Sequence, residues 1–264
     1  MINNTFTKLF TAATILGTFS FVAPAHASIL TNANNWSSLT KYEVKDKSTD
    51  TSGFKVADYQ KYVQRERLEI PDSKLPKIDL TTLKLKVDHN VRVWFINEGA
   101  AFKNQLAFSA TKGNTEKTGL IFENASCYKT ATVNKECQLA DDKGVLDPGD
   151  YVDIGNISAG SQLDFFLRAN AGSNVFSANV ATNPDKLDHM VAYQLGKYVL
   201  IGFEDLFGAK GATGGKNQNS DRDFNDTVFV VDMGELESIP EPATGAAILG
   251  VGALGMLKAR RRQK

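Results

Sequence analysis

Apolar residues take alternate positions in two successive runs: Leu83, Leu85 and Val87 with Lys84 and Lys86 between them, then Val91, Val93 and Phe95 with Arg92 and Trp94 between them. A period of two sends neighbouring side chains to opposite faces, so each run reads as a strand with one covered face. Asp88-His89-Asn90 separates the runs and predicts a hairpin turn. Further strands are expected at Gln105 to Ala110, Gly119 to Glu123, Tyr151 to Ile154, Leu163 to Ala169, Met190 to Gln194, Tyr198 to Phe203 and Thr227 to Val231. Turn chemistry punctuates them at Lys112-Gly113-Asn114, Asp147-Pro148-Gly149-Asp150, Ser158-Ala159-Gly160 and Asn170-Ala171-Gly172. Val56, Tyr59, Tyr62 and Val63 recur at helical spacing, which predicts a helix from about Lys55 to Leu68, ended by Pro71. Many short strands without a long helical stretch predict an all-β chain, a jelly-roll-like β-sandwich of antiparallel strands with a short N-terminal helix.

The two ends have a different character. Lys8 in a polar head, an apolar stretch from Leu9 to Val22, and Ala25 and Ala27 around His26 form the layout of a secretory signal, cleaved between Ala27 and Ser28. At the other end Pro240-Glu241-Pro242 precedes an apolar tract, Ala243 to Leu257, and then Lys258, Arg260, Arg261, Arg262 and Lys264. The tract is shorter than the ~20 residues of a permanent spanning helix, and its basic flank belongs on the cytoplasmic side. This combination resembles the PEP-CTERM sorting signal. The resemblance implies passage through the inner membrane on a transient helix at 243–257, cutting by exosortase after signal peptidase has acted, and a final place at the cell surface or outside it. A plain single-span anchor is the competing reading. The expected organisation is 1–27 signal peptide, 28–77 polar segment with a loose start, 78–233 β-domain, and 234–264 linker plus sorting signal with its apolar helix.

Setting aside Lys8 of the leader, and the five basic residues and Glu241 of the tail, leaves 24 basic and 29 acidic residues, a net charge of about −5. A nucleic-acid partner asks for a basic stripe, so none is expected. Cys127 and Cys137 are ten positions apart, and in an oxidising compartment they are expected to pair as a disulfide.

The densest set of oxygen ligands is Asp221-Arg222-Asp223-Phe224-Asn225-Asp226, directly before an expected strand. Alternation of Asp221, Asp223 and Asn225 lets a curled loop turn several oxygens toward one point, as a hard cation such as Ca²⁺ requires. Glu204-Asp205 closes the strand that begins at Tyr198, and the glycine-rich stretch Gly208 to Asn219 can loop so as to join the two groups. An EF-hand loop would have Gly at the sixth position and helices around it; here the sixth position is Asp226 and the flanks are strands. A solvated turn neutralised by Arg222 and nearby lysines is the alternative.

Ile201-Gly202-Phe203-Glu204-Asp205-Leu206 and Ser220 to Phe229 together resemble the signature of the domain of unknown function 4114 family. Val93 to Ala100, Leu146 to Asp150 and Phe165-Phe166-Leu167 extend the resemblance over roughly Val91 to Asp232. It implies an exported surface or matrix domain without an established activity, with calcium held at Asp221, Asp223, Asn225 and Asp226 and more weakly at Glu204 and Asp205.

Catalytic signatures are missing. His89 and His189 come with no nucleophile motif, and no Gly-x-Ser-x-Gly elbow, His-Glu-x-x-His helix or phosphate loop is present. Glu98 and Glu204, read as surface carboxylates, are the nearest approach to a glycosidase pair. The expectation is a non-enzymatic, calcium-stabilised surface or extracellular-matrix protein. The alternative is a carbohydrate-binding module that holds exopolysaccharide, using Trp94, which occupies the polar phase of its strand, unless that ring packs under the N-terminal segment.

Overall fold

The structure, a computed structural model, describes residues 28–63, 69–70, 75–82, 84–127 and 145–236. The leader, Cys137, Pro240-Glu241-Pro242 and the tract at 243–257, and with them the expected disulfide and C-terminal helix, lie outside these residues. Among the described residues no helix is long and apolar enough to cross a membrane. The strands are β1 (His89–Asn97), β2 (Gln105–Lys112), β3 (Thr115–Phe122), β4 (Tyr151–Ile157), β5 (Gln162–Arg168), β6 (Val175–Ser177), β7 (Met190–Leu195), β8 (Tyr198–Phe203), β9 (Thr213–Gly214), β10 (Asn217–Gln218) and β11 (Thr227–Asp232).

The chain is all-β. One sheet has the order β4-β1-β11-β8-β7 and a second the order β3-β2-β5-β6, and every pairing within them is antiparallel. Their facing sides share one core. Val91, Val93 and Phe95 of β1 and Phe229 and Val231 of β11 meet Leu106 and Phe108 of β2 and Phe165 and Leu167 of β5. The alternation of β1 therefore has the inward phase that the sequence predicts. Its other phase is buried as well, because Trp94 and Ile96 join a second cluster with Tyr59, Val63 and Leu200.

The cover over that second face is the N-terminal segment. A short helix, α1 (Ala57–Gln60), presents Tyr59; the expected helix does not continue through Lys61 and Tyr62, which form a turn, and its remainder, 64–68, lies outside the described residues. Phe54 stacks on Trp94 with ring centroids 4.3 Å apart, and the Trp94 indole N–H donates to Asp50 Oδ2 at 2.7 Å. Trp94 is 1% exposed, so its ring is not offered to a sugar. The start of the segment is not loose. Leu30 and Trp36 are buried against Ala107, Leu120, Phe166 and Val175 on the outer face of the second sheet. Between these anchors, Lys41 bridges to Leu120 on edge strand β3 and Lys45 to Tyr151 on edge strand β4. One strap thus satisfies backbone groups on an open edge of each sheet, which removes two templates for pairing with another chain.

Two expectations fail around residue 88. Lys84 to Val87, the described part of the run from Leu83, does not form a strand; only Lys84 and Leu85 make isolated bridges, to Gln162 and Leu236, and Val87 is 43% exposed. The backbone here bonds to the turn after β4 and to the chain after β11, with Gly160 N–H donating to Leu85 O and Lys86 N–H to Glu235 O. It therefore has no continuous partner strand. Asp88-His89-Asn90 is not a hairpin turn, because His89 and Asn90 open β1 and pair with Ile157 and Asn156 of β4. By contrast, Lys112-Gly113-Asn114 does reverse the chain between β2 and β3, with Gly113 at φ 58°, a conformation that suits a residue without a Cβ.

Candidate metal centre

The site forms where β8 and β11 end side by side. Their register sets Phe203 opposite Thr227, so Glu204 and Asp205 leave one strand beside Asp226, which enters the other. Asp226 N–H donates to Phe203 O at 3.0 Å, and Asp205 N–H donates to Asp226 Oδ2 at 2.7 Å. Between the strands the chain makes an excursion folded on itself by the β9–β10 pair, with Gln218 N–H donating to Phe207 O.

The segment Asp221 to Asn225 then coils over the strand ends. Arg222 and Phe224 take left-handed backbone conformations at φ 55° and 59°, uncommon for residues with a Cβ. Their side chains share one side of the coil, with the Arg222 guanidinium 5.2 Å from the Phe224 ring centre. Asp223 Oδ1 accepts the Asn225 N–H at 3.1 Å, which fixes that carboxylate within the turn. Two glycines make room for this coil: a Cβ on Gly202 would lie 2.2 Å from Phe224 O, and one on Gly99 would lie 2.0 Å from Asn225 Oδ1.

The five carboxylates expected from the sequence come together here, while Asn225, in the same coil, sets its Oδ1 against Gly99. Carboxylate oxygens of Glu204, Asp221 and Asp223 lie within 4.8 Å of one another, and so do those of Glu204, Asp205 and Asp226. Glu204, Asp205, Asp223, Asn225 and Asp226 are buried, and Asp221 is half-buried. Glu204 Oε2, Asp221 Oδ1 and Asn225 Oδ1 are buried and accept no hydrogen bond among the described residues. No lysine or arginine among those residues pairs with Glu204, Asp221 or Asp226. Arg222 lies instead along Phe224, with Nη1 3.5 Å from His189 Nε2.

Such crowding disfavours charge. Burial first, and the carboxylates of Asp221, Asp223 and Asp205 after it, push the Glu204 carboxyl up to about 7. Asp226 is raised well above the usual carboxylate range, again by burial first and then by Asp205 and Glu204. These are oxygens that need either protons or a cation. The donor set is hard and all-oxygen, which fits Ca²⁺ better than a metal that prefers sulfur or imidazole.

Several supporting residues carry no signal in the sequence. Asn104 Nδ2 donates to Asp205 Oδ2 at 2.7 Å, and its own Oδ1 accepts the Asn170 N–H. His189, fully buried, stacks on Phe176 and sets Nδ1 2.9 Å from Glu204 O and Nε2 2.8 Å from Asp185 Oδ2. The contacts of Asn104 with Asp205 and of His189 with Glu204 join segments 101 and 15 positions apart, with no motif linking them. Neither Glu98, at 2% exposed, nor Glu204, fully buried, is a surface carboxylate.

Comparison with known proteins agrees with the motif. Residues 157–234 match the family described as Domain of unknown function (DUF4114), and residues 238–262 match the PEP-CTERM protein-sorting motif. The first match starts at the end of β4, so Val93 to Ala100 and Leu146 to Asp150 fall outside it. No curated protein and no solved structure matches the chain. The sorting motif marks an exported, exosortase-processed protein associated with the cell surface. The chain therefore carries a DUF4114 domain that includes the whole acidic site, followed by a PEP-CTERM sorting motif.

Proposed function

We propose that this chain is a non-enzymatic surface or extracellular-matrix protein built as a β-sandwich whose β8–β11 end is stabilised by Ca²⁺. The observation that carries the reading is the pair of buried, unpartnered oxygens on Glu204 and Asp221, two carboxylates that share a group with Asp223 and pair with no lysine or arginine among the described residues. Glu204, Asp221, Asp223 and Asn225 would hold the ion, with Asp205 and Asp226 behind them. When bound, the cation supplies the positive charge that lets these carboxylates ionise while buried. The chain's own residues do the rest: the coil at Arg222 and Phe224 aims the oxygens, Asn104 orients Asp205, and the strand ends fix Glu204 and Asp226. The cation would thereby pin the excursion between β8 and β11 to the sheet edge.

Processing fits the same picture. Signal peptidase would cut between Ala27 and Ser28, 243–257 would hold the chain in the inner membrane for a time, and exosortase would cut near Pro240-Glu241-Pro242. A Cys127–Cys137 disulfide would form in the oxidising compartment. The exopolysaccharide-binding alternative loses its main support, since Trp94 is covered by Phe54.

Thermal melts with calcium and with chelator test the reading. A cation at 100 times its dissociation constant stabilises by about 2.7 kcal/mol, which for a domain of this size should raise the midpoint by roughly 5–11 °C. Asp223→Ala should behave in calcium as the unsubstituted protein does in chelator. An unchanged midpoint would remove the metal from the proposal.

A further inference from the structure

Glu204 belongs to two carboxylate groups at once, an outer one with Asp221 and Asp223 and an inner one with Asp205 and Asp226. We infer that the site takes two divalent cations with Glu204 between them, which rests on the calcium reading above and deepens it. The outer position also has Asp221 Oδ1, a buried atom without a hydrogen-bond partner among the described residues. The inner position is defined by side chains already oriented, since Asp226 Oδ2 accepts the Asp205 N–H and Asp205 Oδ2 accepts Asn104 Nδ2, each at 2.7 Å. Glu204 has an oxygen to share: Oε1 accepts the Leu206 N–H at a long 3.3 Å, whereas Oε2, on a fully buried side chain, accepts nothing from the described residues. Buried oxygens without partners are rare and call for an explanation.

Charge favours two ions over one. Five carboxylates meet here, and uncompensated charge away from water is penalised by several kcal/mol per ion. A single divalent cation in the outer position would leave Asp205 and Asp226 facing each other across the inner one. Two would reduce the excess to about one negative charge, with the Arg222 guanidinium at the edge of the site. The competing arrangement fills the inner position with shared protons, as close carboxylates do when no cation is present.

Counting the ions decides between these. The exported protein, stripped with chelator and returned to millimolar calcium, should carry two calcium ions per chain in native mass spectrometry. Asp226→Asn and Asp223→Asn should each carry one, the first by losing the inner position and the second by losing the outer. One ion on the unsubstituted protein would overturn this inference and leave the calcium reading standing; none would overturn both. Near-UV circular dichroism shows whether each variant is folded, and if either is not, the count on the unsubstituted protein decides alone.

Discussion

Two clusters of carboxylates lie on the same five-stranded sheet and are handled in opposite ways. Under the N-terminal strap, Asp50 and Asp153 share Arg92, whose Nη1 is 2.7 Å from Asp50 Oδ1 and whose Nε is 2.6 Å from Asp153 Oδ1. Lys45 adds a second cation to Asp153 at 2.9 Å. Burial alone would raise both carboxyls, yet hydrogen bonds from Ser52 and Trp94 to Asp50, and from Arg92 and Lys45 to Asp153, hold them below the usual range. At the β8–β11 end, Glu204 and Asp226 have no such cation among the described residues and are raised. The strap cluster carries its own counter-charge, whereas the acidic end must take protons or bind an ion from outside. An exported protein can rely on external calcium in a way that a cytosolic one cannot.

If the strap is a structural clamp, its failure should be large and indifferent to calcium. Trp94→Ala removes a buried ring stacked on Phe54 and should destabilise by about 3–5 kcal/mol, equally in calcium and in chelator. Denaturant melts of both forms give the comparison, and a calcium-dependent loss would mean that the two clusters are coupled.

The next effect separates the clusters by pH. Glu204 rises from 4.5 to about 7 on folding without a cation, so the folded state prefers its protonated form. Stability from this group is complete below about 4.5 and is lost as pH rises through about 7, a change of about 3 kcal/mol for Glu204 alone. Asp205, Asp221, Asp223 and Asp226 act in the same direction on it, while Arg222 lies at the margin. Asp50 and Asp153, being lowered, contribute above their unfolded value of 3.8 and lose that contribution as pH falls through their folded values. Melts in chelator across this range should therefore show destabilisation toward neutral pH, and calcium should abolish it.

Arg92→Met should cost about 2 kcal/mol, below the 3–5 kcal/mol typical of a fully buried pair because the guanidinium is partly exposed. The loss should again be the same with and without calcium. Smallest is Gly99→Ala, whose Cβ would displace Asn225 Oδ1 and should weaken calcium binding about tenfold, or about 1.4 kcal/mol. Calorimetric titration measures it, and an unchanged affinity would take Asn225 out of the ligand set.

Local pattern made much of this visible. The runs at 105–110, 163–169 and 198–203 alternate or are continuously apolar and became β2, β5 and β8, because each has a neighbour on both sides, full-length except for the short β6 beside β5. Leu83 to Val87 alternates equally well, but of its described residues only Lys84 and Leu85 bridge to another segment, and alternation says nothing about whether a partner exists. His89 and Asn90 looked like turn residues, yet β1 recruited them by pairing with β4. The Asp-x-Asp-x-Asn loop was legible because its carboxylate and amide oxygens come from neighbouring residues. Its supports were not, since Gly99, Asn104 and His189 come to it through register and packing across distant strands. Trp94 shows the remaining gap: its polar phase suggested exposure, but a segment some forty positions earlier covers it.

A crystal structure grown in calcium, with anomalous data to identify the ion, would examine the acidic end most directly. Calcium density should appear with oxygens of Glu204, Asp221, Asp223 and Asn225 at about 2.3–2.6 Å, the distance this ion takes. The Arg222 side chain folded among those carboxylates, with no ion present, would contradict the proposal and make the site a self-neutralised turn.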